Sequence, residues 1–391
     1  MKTAKLSDLI GIINKIAPQT LAESWDNSGM QLGDPGSTVQ KIMVALEPTL
    51  QVINSAISSS CQLLLTHHPL IFKPNSSITT STPTGKAIHT AIKASLAVFS
   101  MHTNYDSAAG GLNDLLAEYA GLSSATPLKP GFRQELVKLV LFVPESHLES
   151  VRAALFPFTL SLGEYSDCSF STVGEGTFKP GNLAHPFIGT VGALEKVAEQ
   201  RLELLIDKTV LPKAINRLLS VHPYEEPAYD IYPLLNNGLM LGLGRMGHLA
   251  TPLTLKEYAQ QIANSLKTRT IRYVGNPDAM IRKVAVCSGS GASLMGDAIR
   301  AGADLLLTGD VKYHDARDAE AHGIALIDAG HFGTEIIMAE AVQKRLQKSL
   351  RDAGYADCHV ITCTEESDPF KLINIADQNT KIGGENGKKT S

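Results

Sequence analysis

Leu6, Leu9, Ile10, Ile13 and Ile16 recur at helical spacing near the start of the chain and predict an amphipathic first helix. Beyond a turn-like Trp25 to Gly29 the pattern changes. Ile42 to Leu46, Gln62 to Leu65 and Ala97 to Ser100 are short apolar runs of the kind buried on both faces in a parallel sheet. Helical patterns near Leu50 to Ile57, Ala87 to Ala94 and Ala108 to Tyr119 alternate with them. Strand, helix, strand, helix, strand predicts a largely parallel α/β unit.

The same order returns late in the chain. Lys283 to Val286, a helix near Ser293 to Ala301, Asp304 to Leu307, Ile324 to Ile327 and a long helix from about Thr334 to Leu350 succeed one another. The run Leu63-Leu64-Leu65-Thr66 recurs as Leu305-Leu306-Leu307-Thr308. The segment after the run is shorter in the second half, and the missing length matches the Ser/Thr-rich loop from Asn75 to Thr84. Between the halves, Leu136 to Val143, His147 to Ala153, Arg201 to Ile206 and Leu211 to Leu219 have a rhythm of their own. Two βαβ-like halves of this size predict a small ferredoxin-like α+β insert.

The expected fold class is therefore α/β, with two similar α/β halves, 1–130 and 246–370, forming one domain interrupted by the ferredoxin-like insert 131–245. Gly238 to Gly247 is read as the return linker, and the polar, glycine-rich stretch 371–391 as a disordered tail.

Composition narrows the class of protein. Of 391 residues, 43% are hydrophobic and 19% charged, as in soluble globular chains. No stretch approaches the roughly 18 apolar residues of a membrane span, and the first residues lack the features of a secretion signal. Cys61, Cys168, Cys287, Cys358 and Cys363 are scattered and form no Cys-x-x-Cys pair, which fits a reducing, cytoplasmic setting. A net charge of -4 offers no general attraction to phosphate backbones, so nucleic acid is not an expected partner.

Two familiar motifs fail on inspection. Gly242, Gly244 and Gly247 match Gly-x-Gly-x-x-Gly, but Pro252 comes before any helical run, against the dinucleotide fingerprint. Gly387-Lys388-Lys389-Thr390 lacks the earlier P-loop glycine, because Ile382 stands in its place. Zinc-protease and serine-hydrolase motifs are absent.

The candidate chemistry lies at the ends of the repeated runs. His67-His68 come directly after the first Leu-Leu-Leu-Thr, whereas Gly309-Asp310 come after the second. His102-x-x-x-Asp106 and His331-x-x-x-Glu335 then stand at corresponding places in the two halves. An i, i+4 spacing brings two side chains to one face of a helical turn, and both acids are expected near the start of a long helix, where the dipole favours a carboxylate. Any one pair is ordinary helix surface; two at matching positions, with a histidine pair at a strand end, point to a metal site at the carboxyl ends of parallel strands. Imidazole and carboxylate suit zinc, manganese, iron, cobalt or nickel, and five or six such groups suit two ions sharing a bridging water. His102 stays open between ligand and proton-transferring base. Asp310 is a candidate hydrogen-bond partner for a ligand histidine, and His314 and His322 are either pocket-lining or surface residues.

These residues resemble a known family, the GTP cyclohydrolase I type 2 homologues, also called Nif-three-like proteins. Glu23 to Gly29, Leu63 to Phe72, His102 to Asp106, Leu307 to Asp310 and His331 to Glu335 carry the likeness, which extends to about residue 370. The resemblance implies two divalent metal ions, zinc first and manganese or iron next, held by His67, His68, Asp106, His331 and Glu335, with His102 left as the catalytic proton carrier. Glu47 stands where the family more often has an aspartate. The resemblance further implies a toroidal homohexamer whose metal sites face an internal cavity, with an insert like the trimeric copper-tolerance and nitrogen-regulatory proteins. The implied activity is metal-dependent hydrolysis by a bridging hydroxide, with opening of the GTP imidazole ring and formate release as the candidate reaction on a small nucleotide substrate. A metal-dependent phosphoesterase, and a non-enzymatic metal-binding scaffold or regulatory interaction protein, are the alternatives.

Overall fold

Every residue of Leu63–Thr66 and of Leu305–Thr308 is buried, a condition that a four-residue apolar strand meets only inside a sheet covered on both faces. The computed structural model describes residues 3–372 and builds one such sheet around each run. The tail expected from residue 371 therefore lies, from 373 on, outside the described residues.

The first part of the chain forms α1 (Leu6–Ile16), β1 (Gly29–Leu32), β2 (Lys41–Ala45), α2 (Leu50–Ser58), β3 (Leu63–Thr66), α3 (Pro83–Lys93), β4 (Ala97–Ser100), α4 (Thr103–Ser107) and α5 (Leu112–Tyr119). β5 (Leu122–Arg133) leads to β6 (Leu136–Pro144), α6 (Leu148–Leu155), β7 (Ser169–Phe178), β8 (Glu195–Asp207), α7 (Leu211–Val221) and β9 (Tyr229–Pro233). β10 (Met240–Thr254) returns the chain to α8 (Leu255–Ser265), β11 (Arg272–Val274), β12 (Met280–Val286), α9 (Met295–Arg300), β13 (Leu305–Thr308), α10 (Tyr313–His322), β14 (Ala325–Asp328), α11 (His331–Glu335), α12 (Ile337–Asp352) and β15 (His359–Thr362).

The chain divides into two compact units, one made of the segments up to Lys129 and from Gly242, the other of Pro130–Leu241. The second unit is a four-stranded antiparallel sheet in the order β7-β8-β6-β9, with α6 and α7 supplying buried Val151, Leu155, Ala214 and Leu218 to its core.

The first unit is α/β and holds two sheets. One has the order β1-β4-β3-β2-β15, with β4, β3, β2 and β15 parallel and β1 an antiparallel edge. The other runs β11-β14-β13-β12-β10-β5, with β14, β13 and β12 parallel and antiparallel strands outside them.

Helices cross between these sheets. α12 comes after the second sheet's strands in the chain, yet its Met338, Val342, Leu346 and Leu350 are buried in the core around β2, β3 and β4. α5 comes after β4, yet its Leu116 and Ala117 are buried with β12, β13 and β14. β15 completes the exchange by pairing with β2.

Two expectations need correction. Gly238 to Gly247 is not a linker loop: from Met240 onward it belongs to β10, a strand paired with β12. Alternation is hidden there because glycines replace side chains where neighbours crowd; a Cβ on Gly247 would lie 2.8 Å from the Ser123 carbonyl oxygen. The helix expected from Ala108 begins only at Leu112, and Asp106 belongs instead to the five-residue α4. Glu335 likewise closes α11, before α12 starts at Ile337. Neither acid lies in the first turn of the long helix, so the expected dipole contribution does not hold it there.

Candidate metal centre

β3 ends at Thr66, and the chain leaves the strand at once, so His67 and His68 escape the alternation that would send them to opposite faces. The loop is pinned by hydroxyls: Thr66 Oγ1 and Ser100 Oγ donate to the His68 carbonyl oxygen at 2.8 and 3.3 Å. His102 caps α4 directly after β4, and His331 opens α11 after β14.

All four rings are oriented through Nδ1. His67 Nδ1 lies 2.8 Å from the Met101 carbonyl oxygen, His68 Nδ1 2.6 Å from Glu47 Oε1, His102 Nδ1 2.7 Å from Asp26 Oδ1 and His331 Nδ1 2.6 Å from Asp310 Oδ2. Carbonyl and carboxylate oxygens only accept, so each Nδ1 carries the proton and each Nε2 of a neutral ring presents a lone pair. Partners of this kind fix the orientation of metal-ligating histidines.

The Nε2 atoms converge on two buried carboxylates. His67 Nε2 is 3.7 Å from Asp106 Oδ1 and 3.7 Å from Glu335 Oε1. The other Glu335 oxygen, Oε2, faces His68 Nε2 at 3.1 Å and His331 Nε2 at 2.9 Å. Glu335 thus stands between the histidine pair of one sheet and the histidine of the other. Among the described residues, two groups bring their ligand atoms within 4.8 Å of one another: His67, His68 and His102, and His68, His331 and Glu335. Asp106 stands beside these groups, accepting from the Ser288 hydroxyl at 3.4 Å.

Gly289 and Gly309 shape the space. Gly289 has φ +65, and a Cβ on it would come 2.2 Å from Glu335 Oε1 and 3.3 Å from His331 Nε2. Gly309 succeeds its strand as His67 succeeds β3, but a Cβ there would lie 2.6 Å from the backbone at Gly330 and His331. No imidazole fits at that position, which is why the two sheets contribute unequally.

The electrostatics have the same origin. Burial favours a neutral His68, but its contacts with Glu335 and Glu47 outweigh this and raise it to about 10. Contact with Glu335 raises His331 to about 9 against the effect of burial, with Asp310 adding to the rise. Burial opposes ionisation of Glu335, yet His67, His331 and His68 hold it well below the ordinary carboxylate range. Burial raises Asp106. Asp26 is lowered despite burial by hydrogen bonds from His102, Ser28 and Thr103.

A metal fits this donor set. His67 Nε2 and Glu335 Oε2 are buried and lack a partner in hydrogen-bond geometry, although Oε2 has two imidazole nitrogens about it. Lone pairs facing lone pairs at such distances require a proton or a cation between them.

Residues 4–369 match the family model of Duf34/NIF3 (NGG1p interacting factor 3). The chain belongs to the Duf34/NIF3 family. The GTP cyclohydrolase 1 type 2 homolog of Halalkalibacterium halodurans is 42% identical over 95% of this chain and 100% of its own length, and that of Bacillus subtilis 39% identical over the same shares. The crystal structure of a Bacillus cereus protein related to NIF3 superposes with a TM-score of 0.86 at 38% identity, covering 95% of this chain and 100% of that one.

Within this Duf34/NIF3 chain the structure brings His67, His68, His102, Asp106, His331 and Glu335 together. Asp310 takes the hydrogen-bonding position expected of it, on His331. His314 and His322 are exposed; His322 Nδ1 pairs with the Asp318 carbonyl oxygen of its own helix. Asp26, Asn113 and Ser288 were not singled out from the sequence. Asp26 lies inside the Glu23 to Gly29 stretch, which marked its neighbourhood, whereas Ser288 and Asn113, joined by a 2.9 Å bond from Ser288 N to Asn113 Oδ1, carry no local signal.

Proposed function

We propose that this chain is a metal-dependent hydrolase with a dinuclear centre. His67, His68, Asp106, His331 and Glu335 would hold the two ions. The observation that carries this reading is the opposition of Glu335 Oε1 to His67 and Oε2 to His68 and His331, with every Nδ1 already engaged. Two divalent ions, zinc first, would supply Lewis acidity at this site.

The chain's own residues do the rest. Asp26 holds the His102 ring, so its Nε2 faces the cluster as a proton carrier. Glu47 and Asp310 keep His68 and His331 in the tautomer that offers Nε2. The candidate reaction is ring opening of GTP with release of formate, suggested by the names of the relatives. A cytoplasmic setting and a small-molecule substrate are part of this proposal; no helix among the described residues is long and apolar enough to cross a membrane. We further propose that the parallel triplets β4-β3-β2 and β14-β13-β12 are two copies of one ancestral half, that Pro130–Leu241 is a ferredoxin-like insert, and that the chain assembles as a homohexamer.

Metal analysis and turnover assays on one preparation test the reading. Two ions per chain with formate released from GTP supports it, orthophosphate release instead indicates a phosphoesterase, and disassembly on chelation without any turnover indicates a scaffold. Fewer than two ions after metal-replete preparation overturns the dinuclear centre.

A further inference from the structure

Two large aromatic side chains lie exposed beside the histidine cluster. Trp25, the only tryptophan of the chain, is 59% exposed and Phe72 is 47% exposed. Their ring centroids are 6.1 Å apart, edge to face, and lie 6.0 and 6.2 Å from that of His102. Exposed aromatic surface of this size next to polar chemistry marks a contact site for something outside the chain.

Phe72 also lines a cleft of about 860 Å³ that holds Lys73, Lys86, Thr49, Thr82 and Thr84. That volume accommodates a ligand larger than a lone anion. Neither lysine has an ion-pair or side-chain hydrogen-bond partner among the described residues. The first turns of α2 and α3, capped by Thr49 and Thr82, open on the same cleft and add donors of the same polarity. Glu47 reaches the inner wall, with Oε1 turned to His68. The cleft is therefore cationic at the lysines, while the aromatic pair and His102 adjoin it at Phe72.

We propose that the aromatic pair and the cleft form one subsite for a phosphorylated planar heterocycle, a nucleotide in class. Its ring would rest against Trp25 and Phe72, and its phosphates would lie toward Lys73 and Lys86. Stacking recognises the face of the ring, and the ammonium groups recognise the phosphates as point charges. This placement brings the ring beside His102 and rests on the reading of the histidine cluster as the reactive centre.

The lone tryptophan reports the test directly. Full-length, metal-loaded protein is titrated with GTP, guanosine and inorganic triphosphate, monitored by tryptophan fluorescence and calorimetry. GTP should quench saturably, and guanosine should bind at least about tenfold more weakly, since charge-assisted contacts of the phosphates are lost. Lys73→Ala/Lys86→Ala should lower GTP affinity by at least about tenfold toward the guanosine value, and Lys73→Arg/Lys86→Arg should restore most of it. Phe72→Ala should weaken guanosine and GTP alike. Metal content and circular dichroism of each variant report its fold. No saturable GTP binding, or unchanged affinity in the double alanine variant, overturns the proposal. Two ions per chain with no GTP binding would overturn this subsite alone, whereas GTP binding with fewer than two ions per chain after metal-replete preparation would overturn the metal reading and leave the subsite standing.

Discussion

Asp26 Oδ1 lies 2.7 Å from His102 Nδ1, although 76 positions separate the two residues in the chain. Asp26 is itself held by the Ser28 hydroxyl and by the Thr103 amide and hydroxyl at 2.6, 3.1 and 2.6 Å. The carboxylate, in a loop before β1, therefore fixes the ring that comes after β4.

Removing its charge while keeping its shape tests that relationship. Asp26→Asn should leave metal content near that of the unaltered protein and lower turnover by about 10 to 100-fold, the usual cost of losing such a partner. Unchanged turnover would show that His102 needs no orientation by Asp26.

Glu335 meets three imidazoles with two oxygens. If Glu335 serves both proposed ions, Glu335→Gln should deplete both, whereas His331→Ala should deplete about one. Metal analysis after equilibration at limiting metal distinguishes them, and equal loss in the two variants would contradict that role of Glu335.

The titration of the cluster predicts opposite pH responses with and without metal. In the metal-free protein His68 is raised to about 10 and His331 to about 9. Against an unfolded value of roughly 6.5, such raised groups stabilise the fold fully below about pH 6.5 and lose that contribution as pH rises through about 9 to 10. Asp106, raised by burial, has the same sign, and Glu335, held low, loses its contribution only in acid. Melting temperature after chelation should therefore fall between neutral pH and pH of about 9.5. Protons and metal ions compete for Nε2, so stabilisation by added metal should grow across the same range. A pH-independent difference between the two forms would remove the basis of this prediction.

Arg245 is 2% exposed and forms a two-pronged pair with Asp114, while also donating to the carbonyl oxygens of Gly242, Gly244 and Ala108 at 2.8, 2.8 and 3.0 Å. It ties β10 to the turn between α4 and α5, next to Asp106. Arg245→Ala leaves the Gly242 and Gly244 carbonyls without their side-chain donor and Asp114 with only the Gly110 amide, and should cost about 3 kcal/mol in denaturant unfolding. A loss below about 1 kcal/mol would mean that water replaces the guanidinium without penalty.

Leu346, fully buried in α12, tests the crossed packing of the helices. Leu346→Ala should destabilise the chain by about 3 kcal/mol, and the metal affinity of His331 and Glu335 should fall with it, since α11 leads directly into α12. Equilibrium unfolding and metal titration check the two effects separately.

Several features are legible from local pattern alone. Apolar runs such as Leu63–Thr66 and Leu305–Thr308 announce doubly covered strands, and His102, Asp106, His331 and Glu335 are visible through their spacing. β10 and β5 escape such reading because glycine, proline and exposed positions break their alternation. β15 escapes because its partner, β2, lies more than 300 residues earlier, as the pairing of Val360 with Ile42 makes plain. Asp26 and Glu47 are single acids in loops, and nothing within a few residues of them says that each faces an imidazole, whereas Asp310 is legible because it stands in the second half where His68 stands in the first.

By itself the sequence determines the α/β rhythm and the kind of ligand at each strand end, because side-chain periodicity and local spacing act over a few residues. The tertiary structure alone decides that His331 Nε2 comes within 3.4 Å of His68 Nε2 across 263 positions, and that Glu335 stands between the histidines of both sheets. That convergence depends on α5 and α12 packing across from one sheet to the core of the other. The burial of apolar surface in those long-range contacts holds the carboxylates and imidazoles together against their own cost of desolvation.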